Sequence, residues 1–475
     1  MLPYTEFRIL DINAESLGVP TSQLMENAGR VVAKVVSEHY GSRKRILVAC
    51  GTGNNGGDGF VAARYLKRDN KVSVLLAHPA GEIKTAIARE AFLAVKDLLV
   101  DNVKLADYDL IIDALLGTGL KGNLSEPYSG LIERINQSAR PVVAVDVPSG
   151  LGTDIMVRPT ITVTFHDMKE GMTKENSGEI VVMDIGIPSD AAKYIGPGEF
   201  VLYPLPSPDS HKGMNGRVLV VGGGPYTGAP ALAGLGAYRI KVDLVRIATP
   251  TRSYLPVAGY SPNFIVHELT DDILTDKDVP RVMELIKRVD AVLIGPGLGN
   301  AEETLHAIRE VVRACDKPLV IDADAITAVS EDRSVLIGKA GVITPHAGEF
   351  MTLSGEKLPA DYDMRRKPAM DLAKALGFTI LLKGRIDVVA DGQRCKLNRT
   401  GNAGMSVGGT GDVLAGEVAG LLSRGVAPYD AARIAAYVNG AAGDLAYQTF
   451  GFSLLATDVI DCVPLVLKQQ LDKYL

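Results

Sequence analysis

Along the chain, short apolar runs alternate with stretches whose apolar positions recur every three or four residues. In the first half the runs are Arg45–Cys50, Val72–Ala77, Leu110–Ala114 and Pro141–Val147. In the second half they are Arg217–Val221, Val245–Ala248, Ala291–Ile294, Leu319–Ile321, Val342–Thr344 and Thr379–Leu382. Near-continuous apolar runs of this length predict strands buried on both faces, and so a parallel sheet covered by helices. The stretches between them predict those helices. From Gln23 to Glu38, residues Leu24, Ala28, Val31, Val35 and Val36 fall on one helical face. Asp58–Arg68, Glu302–Ala314 and Ala431–Tyr447 read similarly. Strand–helix alternation is the mark of an α/β fold.

One segment interrupts this pattern. Ile195–Asn215 contains Pro197, Pro204, Pro206 and Pro208, and proline at every second position excludes both helix and central strand. It predicts two domains, 1–204 and 205–475, each long enough to bury its own core. The 475 residues carry 50 Lys+Arg against 56 Asp+Glu, a net charge of -6 with no basic block. That balance argues against non-specific binding to nucleic acid or to an anionic membrane surface. Trp is absent, which argues against base-stacking platforms. The four cysteines, Cys50, Cys315, Cys395 and Cys462, form no CxxC pair and are expected as buried free thiols in a reducing compartment. The opening residues lack a leader pattern, and no apolar run reaches the roughly 18 residues of a membrane span. The expectation is a cytoplasmic protein.

Glycine is concentrated where chemistry is expected. After Cys50 comes Gly51-Thr-Gly-Asn54-Asn55-Gly56-Gly57-Asp58-Gly59, then a predicted helix. In a parallel α/β sheet, ligands sit at the carboxyl ends of strands. Glycines there let main-chain N–H groups approach an anion, and the helix start adds partial positive charge. The motif is neither a Walker loop nor the usual dinucleotide fingerprint. The plain alternative is a turn that serves only the chain reversal. Two further strands end in acids: Asp113, before Gly117-Thr118-Gly119-Leu120-Lys121-Gly122-Asn123, and Asp146, before Val147-Pro-Ser149-Gly. Taken singly, each acid could be a turn former. Together with Asn54 and Asn55 they point toward one cleft, where Asn, Asp and Ser oxygens suit a hard cation.

In the second half the strongest motif runs from Asn402 through Gly404, Gly408, Gly409, Thr410, Gly411 and Asp412 into the apolar run Val413–Leu422. A helix starting there offers unpaired N–H groups from Gly409 to Asp412. They can hold charge developing on a transferring phosphoryl group, and Asp412 can accept a proton from an attacking hydroxyl. Lys383-Gly-Arg-Ile-Asp387, Gly295-Pro-Gly297-Leu-Gly299, Asp322-Ala-Asp324 and Thr344-Pro-His346-Ala-Gly-Glu349 each follow an apolar run. Each is expected at the same sheet edge. His346 alone reads as a structural histidine; its place at a strand end turns the reading toward a site.

Gln23–Gly29, the GTGNNGGDG loop, DALLGTGLKG and DVPSG resemble the NAD(P)H-hydrate epimerase family over about residues 20–190. The resemblance implies a Rossmann-like three-layer sandwich that binds potassium beside a damaged nicotinamide nucleotide. It implies Asn55, Asp113 and Ser149 as potassium ligands. Asn54, Asn55, Gly56, Gly57 and Asp58, with Gly117, Thr118, Gly119, Leu120, Lys121, Gly122 and Asn123, become phosphate-binding segments. Asp146 becomes the general acid or base at the reacting end. The family's Pro-Lys-x-Gly turn stands here as Met168-Lys169-Glu170-Gly171.

GGTGDVLAG, GPGLG, TPHAGE and HKGMNGRVLVVGG resemble the ribokinase-like ADP/ATP-dependent NAD(P)H-hydrate dehydratases over about 205–475. That likeness implies an ADP site at Lys383, Gly384, Arg385, Ile386 and Asp387. It extends the site to Asn402, Ala403, Gly404, Met405, Ser406, Val407, Gly408, Gly409, Thr410 and Gly411. Gly297, His346 and Asp412 would touch the hydrate, and Asp412 would be catalytic. Jointly the two likenesses imply repair of hydrated NADH or NADPH: epimerisation of the R and S forms, then ADP-driven dehydration of the S form. ADP, Mg²⁺ and K⁺ are the implied small partners, and assembly as a homo-oligomer is expected. A vitamin-precursor kinase with a non-catalytic N-terminal module is the competing reading.

Overall fold

In the computed structural model, which describes residues 2–118, 120 and 122–472, the apolar runs become strands of two sheets, all of them inner strands except the run Val72–Ala77, which lies at an edge. The chain divides into two units, residues 1–191 and 192–475.

The first unit holds a six-stranded parallel sheet. Its strands are β1 (Arg45–Cys50), β2 (Lys71–Leu76), β3 (Leu110–Ala114), β4 (Val142–Val145), β5 (Ile161–Phe165) and β6 (Glu179–Met183). The order is β2-β1-β3-β4-β5-β6. The chain steps from β1 outward to β2 and then returns to the other side of β1, so the strand order reverses between β1 and β3. A crevice opens at such a point beyond the carboxyl ends. Ile46 through Cys50 are fully buried, as are Ile111 and Ile112, which is what the runs of aliphatic residues require.

The second unit holds nine strands: β7 (Arg217–Val221), β8 (Leu244–Thr249), β9 (Ile265–Glu268), β10 (Ala291–Ile294), β11 (Leu319–Ile321), β12 (Gly341–Ile343), β13 (Thr379–Leu382), β14 (Asp387–Ala390) and β15 (Cys395–Asn398). The order is β15-β14-β13-β12-β11-β10-β7-β8-β9. β7 and β10 flank the reversal here. This sheet is mixed, not wholly parallel: β14 and β15 return as antiparallel strands beyond β13. A two-residue turn at Gly392 and Gln393 suffices for that connection, whereas parallel strands need a crossover.

The expected boundary near 205 lies downstream of the observed one, because apolar side chains within 192–204 belong to the second core. Ile195, Phe200 and Tyr203 are buried there. The Ile195 N–H donates to the Leu397 carbonyl at 2.8 Å, and Lys396 donates to Glu199 at 2.7 Å. All four cysteines are free thiols, but Cys395 and Cys462 are only half-buried. Among the described residues no helix is long and apolar enough to cross a membrane.

The helix Thr410–Ser423 lies against the helix Gly228–Arg239. Glycine lets the two backbones meet: a Cβ on Gly416 would stand 1.9 Å from the Ala233 carbonyl oxygen, and one on Gly236 would stand 2.5 Å from that of Val413. This contact sets where the 410–423 helix begins. Gly416→Ala must push the helices apart, so chemical denaturation should show a loss of about 1–3 kcal/mol. An unchanged midpoint would contradict the close contact.

Candidate functional site

The first unit opens at its strand ends into a cavity of about 780 Å³ lined by Thr52, Gly53, Asn54, Asn55, Asp58, Gly117, Thr118, Leu120, Asn123, Asp146 and Lys169, among others. The helix predicted to follow the glycine loop already begins at Asn54 and runs to Leu66. Asn54 to Asp58 are therefore its first residues, not a loop before it. Its cap, Gly53, is extended and gives no side-chain bond to the helix start, leaving N–H groups open to an anion. Gly56 and Gly57 face packing and do not line the cavity: a Cβ there would meet the Gly51 carbonyl oxygen at 2.1 Å and Met25 Cε at 2.4 Å. Gly122 pairs with Thr153 in an isolated bridge. Gly119 and Lys121 lie outside the described residues.

Asn55, Asp113 and Ser149 meet around the backbone of Leu116. Asn55 Nδ2 donates to the Leu116 carbonyl at 3.1 Å, and the Leu116 N–H donates to Ser149 Oγ at 2.8 Å. Ser149 donates to Asp113 through its hydroxyl at 2.6 Å and its N–H at 2.8 Å. Burial pushes the Asp113 carboxyl up to about 6, although these bonds pull the other way. Asn55 Oδ1 is buried with no hydrogen-bond partner. An orphan carbonyl beside a carboxylate and a hydroxyl is a donor set that suits a hard cation.

The cavity is also lined by Asp146, a residue in the left-handed region at φ 65°. Its Oδ1 accepts from the Phe165 N–H at 3.2 Å and pairs with the Lys169 ammonium. Lys169 is 2% exposed. Its Nζ also donates to the Phe165 carbonyl at 2.8 Å and to Thr164 Oγ1 at 3.0 Å, and lies 4.3 Å from the Phe7 ring centre. Asp58 and Asp11 line the same cavity. Burial and the Asp146 and Asp11 charges hold Asp58 well above the ordinary carboxyl range. Burial, with Asp146, raises Asp11 to about 6. A lysine-paired carboxylate beside a carboxyl that keeps its proton is an acid and a base in one cavity. Sequence reasoning missed Asp11 and Lys169 as site residues; a lysine in the turn after β5, carried by a buried strand, was the available signal.

In the second unit a cavity of about 190 Å³ is lined by Lys383, Gly384, Arg385, Asp387, Asn402, Met405, Thr410 and Gly411, all named from sequence. Thr400, Gly401, Leu414, Ala436, Asn439 and Gly440 complete it. Ala436, Asn439 and Gly440 were missed because the small residues of Pro428–Phe450 read only as helix; Thr400, Gly401 and Leu414 flank the glycine motif just outside the residues named from it. Ile386, Ala403, Gly404, Ser406, Val407, Gly408 and Gly409 lie outside the lining and shape it. Ile386 packs on the core, and Ala403–Met405 form a 3-10 turn. The carbonyls of Met405 and Val407 accept from Thr410 Oγ1 at 3.0 and 3.3 Å. Gly409, at φ 100°, caps the 410–423 helix, a left-handed turn that favours glycine. Asn402 ties the turn down, donating to the Gly443 carbonyl and to Asp444 at 3.0 Å. Asp387 accepts from the Gly384 N–H at 2.9 Å and Asn398 at 3.0 Å.

Gly297, His346 and Asp412 stand outside that lining. His346 caps the helix Ala347–Ser354, its Nδ1 accepting from the N–H groups of Gly348 and Glu349 at 2.9 and 3.1 Å. Its ring is thus anchored at Nδ1 and mostly exposed, while its own N–H donates to Glu349 Oε2 at 2.7 Å. Gly297, at φ 73°, presses against the Tyr226 carbonyl.

Asp412 lies in the first turn of the 410–423 helix. Burial and the carboxylates Asp322, Asp324 and Glu349 raise it to about 7, against the pull of Lys383. Lys383 Nζ donates to Asp322 at 2.8 Å. Burial lowers the Lys383 pKa, but Asp322, Glu349 and Asp412 outweigh it and leave it raised. Lys383 therefore stays charged among acids that compete for it. The arrangement can accept a proton near neutral pH beside amides open to a phosphoryl group.

Fold and cavities together define an α/β nucleotide enzyme: a Rossmann-like unit followed by a ribokinase-like unit. Residues 218–465 match the family described as NAD(P)H-hydrate dehydratase, and residues 21–171 match the YjeF-related protein N-terminus. The chain is 44% identical, over 98% of its length and 97% of the relative's, to the bifunctional NAD(P)H-hydrate repair enzyme Nnr of Pyrobaculum aerophilum. To the protein of the same name in Archaeoglobus fulgidus it is 43% identical over 97% of both chains. A solved ribokinase-like superfamily protein from Enterococcus faecalis V583 covers 58% of this chain and 96% of its own, with a TM-score of 0.51 and 26% identity. The chain belongs to the family of bifunctional NAD(P)H-hydrate repair enzymes.

A carboxyl whose pKa is raised on folding costs stability as pH climbs from the unfolded value through the folded one. Asp412→Asn should therefore resist urea better than the parent around pH 8, with the gap closing toward about pH 4. A gap independent of pH would show that Asp412 is not held protonated as described.

Proposed function

We propose that this chain repairs hydrated NADH and NADPH: the first unit interconverts the R and S hydrates, and the second dehydrates the S hydrate with ADP, releasing AMP and phosphate. The observation that carries the reading is Asp412, a carboxylate with a raised pKa at the first turn of an amide-lined helix, beside Lys383.

In the second unit Asp412 takes the proton of the hydroxyl on C6 of the reduced ring. That oxygen attacks the terminal phosphorus of ADP, the bond to the bridging oxygen breaks, and AMP leaves. The amides at Thr410 to Asp412 and the Lys383 ammonium receive the charge that builds on the phosphoryl oxygens. The ring-nitrogen lone pair then expels phosphate from C6, and loss of a proton from C5 restores the C5–C6 double bond. Phosphorylation turns hydroxide, a poor leaving group, into phosphate, a good one. Among the described residues no three His, Cys, Asp or Glu side chains are gathered to cage a metal. Magnesium would therefore enter on the ADP phosphates with water in its shell, where it screens their charge.

In the first unit Asp146 exchanges a proton with the substrate at the reacting end, while Lys169 fixes its carboxylate. The start of the 54–66 helix and the Gly117 to Asn123 segment take the nucleotide phosphates. Asn55, Asp113 and Ser149 would hold potassium, whose positive charge would anchor the nucleotide; the orphan Asn55 Oδ1 supports that fit.

Asp146→Ala should abolish R-to-S conversion and leave dehydration of purified S hydrate unchanged; unaltered epimerisation would remove this role. Asp324→Asn keeps an oxygen for the Gly299 N–H but removes a charge that raises Asp412. The acid limb of the dehydration pH profile should then move to lower pH. A limb that stays in place would mean that Asp412 is not the titrating base.

A further inference from the structure

The first helix of the chain, Tyr4–Ser16, has two working faces. Ile9, Leu10 and Ala14 are buried and dock it on the first unit, and the Asn13 amide donates to the Ala191 carbonyl at 3.3 Å. Tyr4, Phe7, Arg8 and Asp11 fall on a different stripe of the helix, and all four line the cavity of about 780 Å³. That stripe is held against the turn that carries Lys169. The Leu2 N–H donates to the Met168 carbonyl and the Glu170 N–H to the Leu2 carbonyl, both at 3.1 Å. The Tyr4 hydroxyl donates to the Glu170 carbonyl at 2.8 Å. The centre of the Phe7 ring stands 4.3 Å from the Lys169 ammonium, which is the one paired with Asp146. Asp11 follows Phe7 by one turn on the same stripe, which brings a second carboxyl to the wall beside that pair.

The other charged groups on this cavity are Arg8 from the same helix, Asp58 from the helix 54–66, Lys84, and Asp146 with Lys169 from the strand ends. Asp146 has its lysine. Asp11, by contrast, makes no hydrogen bond or ion pair among the described residues. Inverting C6 needs one group that takes a proton and another that supplies one. We propose that Asp11 is the second catalytic residue of the first unit, supplying a proton to the ring nitrogen while Asp146 serves the C6 hydroxyl.

The step is a ring opening. Asp146 takes the hydroxyl proton, and the oxygen electrons form a C6 carbonyl. The N1–C6 bond breaks, its electron pair goes to N1, and N1 takes the proton of Asp11. The aldehyde turns about the C5–C6 bond and offers its other face. N1 attacks that face and returns its proton to Asp11, while Asp146 returns its own to the oxygen. Loss of water would instead leave an iminium ion at N1 and C6, which sheds a C5 proton to give the reduced ring. The second unit would then have no need of ADP. Burial, with the Asp146 charge, lifts Asp11 to about 6, where a carboxyl can both give and retake a proton.

The assignment of Asp11 rests on the reading of this cavity as the epimerisation site, and the test separates the two. Chromatography of the R and S hydrates, with the full chain and no ADP, follows the conversion. Asp11→Asn should lower kcat by about a hundredfold or more and leave KM within about threefold. Asp11→Glu keeps an acid and should recover about a tenth of the parental kcat or more. R hydrate with heavy oxygen on C6 should keep the label in the S product. A kcat that survives Asp11→Asn, a loss confined to KM, or an Asp11→Glu as inactive as Asp11→Asn overturns the role of Asp11. If Asp146→Ala abolishes conversion in the same assay, the reading of the cavity stands. Conversion untouched by both Asp11→Asn and Asp146→Ala overturns that reading as well. Label exchanged into water contradicts the ring opening, and with it the proton assigned to Asp11.

Discussion

The chemistry of the second unit depends on one electrostatic conflict: too many carboxylates share too little positive charge in a place with little water. Asp322, Asp324, Glu349 and Asp412 all bear on the same locality, and Lys383 is the ammonium that bears on them. Asp322 claims it most directly, through a 2.8 Å bond. Asp412 is left with less compensation and so keeps affinity for a proton near neutrality. The site remains assembled because it hangs from strand ends and from a helix locked by glycine-mediated contact. A helix free to slide would relax the conflict, and with it the basicity of Asp412.

The first unit reaches a related result differently. There the lysine is committed to Asp146, and the excess of acid is absorbed by Asp58 and Asp11, which hold protons more tightly than ordinary carboxyls. A second corner of the same cavity presents the opposite imbalance, a buried carbonyl oxygen on Asn55 with no donor. In both units acids and lysines of the sites stand at the carboxyl ends of strands, Asp113 and Asp146 at β3 and β4 and Asp322 and Lys383 just beyond β11 and β13, the edge where α/β sheets bind ligands.

Much of this could be read from residue order because buried strands announce themselves as aliphatic runs, and the residue that ends each run faces the crevice. Asp113, Asp146, Lys383 and the Asp322 segment were found that way. β5 and β6 were missed because threonines interrupt one and a glutamate opens the other. β9 and β15 were missed because His267, Glu268 and Lys396 dilute runs of four. The prolines of Ile195–Asn215 put the expected boundary after residue 204, yet Ile195, Phe200 and Tyr203 dock in the second core. Pattern could not show that Gly56 and Gly57 serve helix packing, nor that Lys169 would be buried against Asp146. Both are consequences of tertiary approach, to which a local window is blind. His346 shows the same limit: its backbone position is as expected, but its ring nitrogen is spent on capping a helix.

In the proposed dehydration the hydroxyl on C6 becomes a phosphate ester before it leaves. The most direct measurement labels that hydroxyl with heavy oxygen in the S hydrate, adds ADP and the full chain, and follows the label by mass spectrometry. The label should appear in inorganic phosphate while unlabelled AMP and the reduced nucleotide are formed. Label released as water, with phosphate carrying none, would show that the ring is dehydrated without phosphoryl transfer and would contradict the role given to Asp412.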